Sequence, residues 1–156
     1  MITATAISQT SDEAQIRKLI DDREKAVRAR DADGSIANIA ADIVWFDVVN
    51  PLQHLGSDAL KERALEWFAS FEGAIGYETR ELSITAGNDV AFSHGLNHVS
   101  ATKIGGGQLD MWWRSTVCFR KIGEKWIVTH EHNSVPFDVE SGKASLDLRP
   151  TGRVTK

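Results

Sequence analysis

The stretch Met111–Pro136, MWWRSTVCFRKIGEKWIVTHEHNSVP, decides how this chain is read. Its β-branched and aromatic residues are split by the polar turn Lys121-Ile122-Gly123-Glu124-Lys125, so it reads as two long strands folded back on each other. Side chains alternate between faces along a strand. One face of the pair then holds Trp112, Arg114, Thr116 and Cys118, with Thr129, Glu131 and Asn133. Solvent tolerates such charges but seldom meets a tryptophan beside them, so this face is expected to line a cavity.

Upstream, the same alternation marks strands at roughly Ile75–Thr85, Val90–Lys103, Gln108–Arg120 and Trp126–Val135. Gly87-Asn88-Asp89, Gly105-Gly106-Gly107 and the Gly123 turn suit hairpins between them. The front of the chain has a different period. Thr10-Ser11-Asp12-Glu13 has the form of a capping box, and Ile16, Leu19, Ile20 and Val27 follow at helical spacing to about Arg30. Asp31-Ala32-Asp33-Gly34 ends that helix and caps a short second one with Ile36, Ile39 and Ala40 on its apolar side. A β-rich run from Ile43 to Val49 stops at the turn signal Asn50-Pro51. Ser57 can cap a third helix whose stripe is Leu60, Ala64, Trp67, Phe68 and Phe71, ended by Gly73 and Gly76.

The expected order is α-α-β-α-β-β-β-β, an α+β fold in which a curved antiparallel sheet wraps the N-terminal helices and leaves a cavity between. Residues 1–10 read as a loose lead-in and residues 11–137 as the domain. Residues 138–156, polar and without period, read as a tail that packs only against a partner subunit.

At 156 residues one domain with a real core is expected. The 22 acidic and 18 basic residues are mixed along the chain, and no Lys/Arg run supports a nucleic-acid partner. Cys118 is the single cysteine, which rules out an intramolecular disulfide and any multi-cysteine metal site; in an apolar strand it reads as a small core residue. No segment approaches the ~18 apolar residues that cross a bilayer. The N-terminal MITATAISQT lacks the basic start and apolar run of a signal peptide, so the cytoplasm is the expected location.

The segment Arg28–Gly56, RARDADGSIANIAADIVWFDVVNPLQHLG, resembles the opening of the nuclear transport factor 2-like (NTF2-like) superfamily, a cone-shaped, cystatin-like fold. That superfamily includes ketosteroid isomerases, SnoaL-like polyketide cyclases and scytalone dehydratase. The closing FRKIGEKWIVTHEHNSVP is similar to the last strand pair of the SnoaL-like branch, and also to the association domain of calcium/calmodulin-dependent kinase II. The resemblance is specific for the fold; many chemistries share it.

The resemblance aligns Asp42–Asp47 with the isomerase strand that ends in its proton-abstracting aspartate, which implies Asp47 as acid/base. Among Trp45, Phe46, Val48 and Val49 a carboxylate would be poorly solvated, and that favours a usable base. The remaining isomerase groups do not match. The helix tyrosine falls at Arg23 and the late-strand aspartate near Ser115 or Thr116, which argues against steroid isomerisation. Arg23 and Arg114 together would instead favour an anionic ligand.

Aligned positions at His94 and His98, which share a face with Leu96, line the isomerase cavity; they are expected as proton carriers or hydrogen-bonders. Trp45 and Trp112 share faces with Asp47 and Arg114 and are expected as ligand walls; Trp67 and Trp126 read as core. His130 and His132 lie about 6.6 Å apart on a strand but lack a third ligand, so no metal is expected. His54 sits in the Pro51–Gly56 loop with nothing to single it out.

Two functions fit. The first is a cofactor-independent isomerase, cyclase, dehydratase or hydrolase with a carbonyl-containing substrate. It uses Asp47, assisted by His94 and His98, with Arg114, Trp45, Trp112, Thr116, Glu131, Asn133 and Arg23 holding the ligand. The alternative is a non-catalytic ligand-binding or oligomerisation module like the kinase association domain. The chain is expected as a homodimer, since a strand-rich sheet face needs cover.

Overall fold

A computed structural model describes residues 4–152, with side chains from residue 11 onward. The chain runs α1 (Ala4–Arg28), α2 (Ala32–Ile36), β1 (Ile39–Phe46), β2 (His54–Leu55), α3 (Ser57–Ala69), β3 (Phe71–Ala86), β4 (Val90–Lys103), β5 (Gln108–Ile122) and β6 (Lys125–Ser134). Six strands form one curved sheet in the order β2-β1-β6-β5-β4-β3. The α+β architecture is therefore the expected one. Its β3–β6 meander returns the chain so that β6 lies parallel to β1, the one parallel pairing in an otherwise antiparallel sheet.

Several boundaries differ from expectation. α1 begins at Ala4, so the supposed lead-in is helical from there and the Thr10–Glu13 box lies inside the helix. Residues 1–3 lie outside the described part. Within the helix Asp12 faces inward: it is 4% exposed and accepts from Trp126 Nε1 at 3.1 Å and Lys121 Nζ at 3.0 Å. It thereby ties α1 to the β5–β6 hairpin. Asp31 does cap α2, accepting from the Gly34 amide at 2.9 Å. α2 stops at Ile36, and Ile39 and Ala40 already belong to β1. α3 starts from Gly56 at φ 86° and ends at Ala69, so Phe71, Gly73 and Gly76 open β3. Arg30 Nη1 donates to the carbonyls of Phe68 and Phe71, and its Nη2 to that of Gly73. That fan of bonds fixes the α3–β3 corner against the end of α1.

The main correction concerns the quoted hairpin. From Ile122↔Lys125 to Phe119↔Val128 the pairing is regular, but the next pair is Cys118↔His130. Thr129 is the extra residue of a β-bulge, and such an insertion exchanges the faces of everything beyond it. Buried Trp126 and Val128 before the bulge are thus continued by buried Glu131 and Asn133 after it. On β5 their partners are Val117 and Ser115, not Thr116 and Arg114. Trp112, Arg114 and Thr116 stand on the outer face, and Cys118 there is half-buried instead of core.

Bulges bend β3 as well. Register shifts occur between Glu72 and Gly76 and between Arg80 and Ser83, the second at Glu81 with φ 53°. Opposite that bend stands Gly95, where a Cβ would lie 2.9 Å from Thr79 Cγ2 and 3.2 Å from the Arg80 carbonyl. Glycine is needed there because the kinked strand leaves no room.

The curl divides the apolar interior in two. Ile16, Leu19, Ile43, Phe119, Trp126 and Val128 belong to one cluster. Phe68, Phe71, Ile75, Val99 and Ala101 form a second cluster, with Trp67 and Trp113 packed on it. The tail does not wait for a partner subunit. Phe137 bridges to Ala144, and Arg149 Nη1 donates to Asp110 Oδ1 of β5 at 3.2 Å. Among the described residues no helix is long and apolar enough to cross a membrane.

Candidate active site

Between the helices and the inner face of the sheet lies a cavity of about 840 Å³ that draws on both apolar clusters. A pocket of this size suits a drug-sized molecule, held by apolar walls and oriented by a few polar groups. Those groups form two sets.

The first stands where β1 ends. Trp45 faces the cavity, and Asp47, two residues on, shares its side. Asp47 Oδ1 accepts from the Val48 amide at 2.7 Å and Oδ2 from Arg63 Nε at 2.9 Å. Arg63 comes from α3, three residues after buried Leu60 and so on the same helical face. The two-residue β2 pairs His54 with Trp45 and brings His54 Nε2 to 3.9 Å from the same Oδ2. That nitrogen is buried and has no hydrogen-bond partner among the described residues.

The second set crosses the sheet. Glu131, 3% exposed, accepts from Arg23 Nη1 at 3.1 Å and from Ser115 Oγ at 3.4 Å. Arg23 reaches in from α1, its guanidinium carbon 5.5 Å from the Trp45 ring centroid, a cation–π contact. Asn133 accepts from Trp113 Nε1 at 3.0 Å and donates to the Phe46 carbonyl at 3.4 Å. Thr79 Oγ1 donates to Asn97 Oδ1 at 3.1 Å. Beside them the Tyr77 hydroxyl is held well above the usual phenol range, first by burial and then by the charge of Glu131.

Of the residues expected at the site, Asp47, Trp45, Arg23, Glu131 and Asn133 converge on the cavity. His94, His98, Trp112, Arg114 and Thr116 do not. β4 and β5 pair His94 with Thr116 and His98 with Trp112, and the unbroken alternation that buries Ser115, Val117 and Phe119 leaves all four on the outer face. His98 stacks on Trp112 with centroids 4.4 Å apart and contacts Asp110 at 2.8 Å; Arg114 donates to Ser134 Oγ at 3.2 Å. His130 contacts the Val44 carbonyl at 2.6 Å, and its ring and that of His132 meet Phe46 edge-on.

Sequence reasoning missed Arg63, His54, Trp113, Asn97, Thr79 and Tyr77. Helical spacing from Leu60 could have found Arg63. The charges at Arg114 and Arg120, on alternate positions of β5, could have marked its solvent face and left Trp113 and Ser115 inside.

Residues 16–138 match the SnoaL-like domain model, and the chain belongs to that family, within the NTF2-like superfamily. A crystal structure of an NTF2-like protein of unknown function from Pseudomonas putida KT2440 is similar at 37% identity and TM-score 0.82, over 90% of this chain and 98% of that one. A ketosteroid isomerase-like protein from Erwinia carotovora atroseptica SCRI1043 shares the fold at 22% identity and TM-score 0.65, over 78% and 93%. An NTF2-like superfamily protein from Salmonella enterica serovar Typhimurium LT2 does so at 14% identity and TM-score 0.74, over 87% and 99%. No curated protein matches the chain.

Proposed function

We propose that this chain is a cofactor-independent acid–base enzyme that isomerises, cyclises, dehydrates or hydrolyses a carbonyl-containing small molecule. The observation that carries this reading is the contact between Asp47 and Arg63 on the cavity wall, 2.9 Å from Nε to Oδ2. Asp47 takes a proton from the carbon next to the carbonyl. The electrons of that C–H bond become the enolate, and Arg63, with N–H donors to spare beyond Nε, meets the developing oxyanion. The proton then returns to another carbon in isomerisation or leaves with an oxygen in dehydration. In cyclisation the enolate carbon attacks a second carbonyl, whose oxygen takes the proton. In hydrolysis Asp47 instead takes its proton from a water that attacks the carbonyl and passes it to the leaving group. Trp45, Trp113 and Asn133 hold the substrate's frame.

The alternative, a binding or assembly module without chemistry, has the same cavity at its disposal. The acid–base reading is favoured because a carboxylate and a guanidinium meet on one side of that cavity. In either case the chain works as a homodimer, with the outer sheet face, Trp112 and Phe92 included, as the surface that needs cover.

A panel of enolisable ketones tests the reaction class without requiring the natural substrate. Each ketone is incubated with the protein in deuterated buffer and α-proton exchange is followed by NMR. The wild-type chain exchanges at least one of them, and Asp47→Asn slows it by about 10²–10⁴-fold while circular dichroism stays unchanged. Equal rates in both proteins, or no exchange by the wild type across the panel, would sink the proposal.

A further inference from the structure

The cavity holds two arginines, yet both are already matched. Arg63 lies against Asp47, and Arg23 against Glu131 at 3.1 Å. Glu24, beside Arg23 on α1, is offset in turn by Arg28 at 3.7 Å. The remaining lining cation, Lys103, is exposed at the end of β4. The inner wall therefore presents guanidinium donors without net positive charge.

We infer that Glu131 sets the ligand class of this cavity: by neutralising Arg23 it admits neutral carbonyl compounds on an apolar or aromatic frame and turns away their carboxylate analogues. The inference rests on the proposed reading of the cavity as a small-molecule site, and it replaces the anionic ligand expected from Arg23 and Arg114.

Three observations support it. Glu131 cannot swing into water, because its side chain is 4% exposed and Ser115 holds its second oxygen. An incoming carboxylate would therefore share one guanidinium with a fixed carboxylate, and poor solvation leaves that repulsion largely unscreened. Arg23 is itself held in place over Trp45, with N–H donors left for a neutral carbonyl oxygen. Finally, the neighbouring Tyr77 feels Glu131 more than Arg23: the carboxylate's upward push on its hydroxyl exceeds the guanidinium's downward pull.

The experiment compares naphthyl methyl ketone with naphthoate, a neutral and an anionic ligand of similar shape, by tryptophan quenching and calorimetry at neutral pH. The wild-type chain is expected to bind the ketone at least about tenfold more tightly. Glu131→Gln keeps the size and removes the charge; its one amide oxygen still accepts from Arg23, and its NH2 donates to Ser115 Oγ in place of the bond that Glu131 accepted. It should raise naphthoate affinity by about tenfold or more and change the ketone by less than about threefold. Adding Arg23→Met to it should remove the gain. Equal wild-type binding of both ligands overturns the inference without any variant, and so does a Glu131→Gln protein that still discriminates. If neither ligand binds, the cavity reading falls as well. If discrimination is seen but no α-proton exchange, only the enzymatic reading falls.

Discussion

Arg63 and Asp47 meet across the gap between α3 and the end of β1, with Nε 2.9 Å from Oδ2, and both open onto the same cavity. A base alone leaves the enolate charge uncompensated, whereas a guanidinium beside it supplies both halves of a proton abstraction. Arg63→Ala should therefore lower kcat for α-proton exchange by about 10²–10³-fold, the effect of losing one oxyanion donor. Arg63→Lys should recover part of it, since a point charge lacks the fork of donors. If KM rose while kcat held, Arg63 would be a binding residue and the mechanism above would be wrong.

Gly95 tests the bend that shapes the cavity. An alanine there meets the Thr79 methyl and, less yieldingly, the Arg80 carbonyl of the β3 bulge. Gly95→Ala should destabilise the fold by about 1–3 kcal/mol, the usual effect of overpacking. Urea melts measure it, and a change within error would mean that the bulge yields freely.

The same bulges separate what was legible in the sequence from what was not. Apolar spacing at Ile16, Leu19 and Ile20 and alternation along Val90–Lys103 report burial directly, so the helices and the β3–β6 meander could be read, the start of α1 excepted. Asp47 and Trp45 could be read too, because they lie two residues apart at the end of β1, past its register irregularity between Ile39 and Val44. The hairpin's facing could not be read by continuing its pattern from the turn. One additional residue, Thr129, flips parity, and its side chain carries no mark of that. Unbroken pairing from the turn therefore sets Glu131 and Asn133 opposite Thr116 and Arg114 and draws Trp112 inward with them, whereas the structure leaves Trp112 outside, and His94 and His98 with it through the β4–β5 register. Arg63 and His54 escape for another reason. They reach Asp47 from α3 and β2, elements whose positions depend on tertiary packing.

Asp12 links the first helix to the last hairpin, and its loss should be felt by the whole domain. In Asp12→Ala the buried Trp126 Nε1 and the Lys121 ammonium lose their common acceptor. Leaving a buried donor unpaired costs about 1–3 kcal/mol. Asp12→Asn retains one acceptor oxygen and should recover much of that. Denaturant midpoints of the two variants settle the point, since equal midpoints would show that the contact contributes only packing.

Tyr77 is the chain's single tyrosine, so its ionisation can be followed alone by absorbance near the tyrosinate band. Burial and Glu131 raise its pKa above the ordinary 10.0. A phenol that keeps its proton in the folded state but loses it when unfolded stabilises the fold fully below pH 10.0. That contribution declines as pH climbs from there toward the raised folded value. The folded protein at pH 10.0 should therefore show almost no tyrosinate, where a solvated phenol would be half ionised. Stability measured above that pH should fall. Glu131→Gln should move the titration downward without restoring the ordinary value, because burial, the larger cause, remains. Half-ionisation at pH 10.0 in a protein still folded by circular dichroism would show that the cavity around Tyr77 is filled with water and that Glu131 does not control its potential.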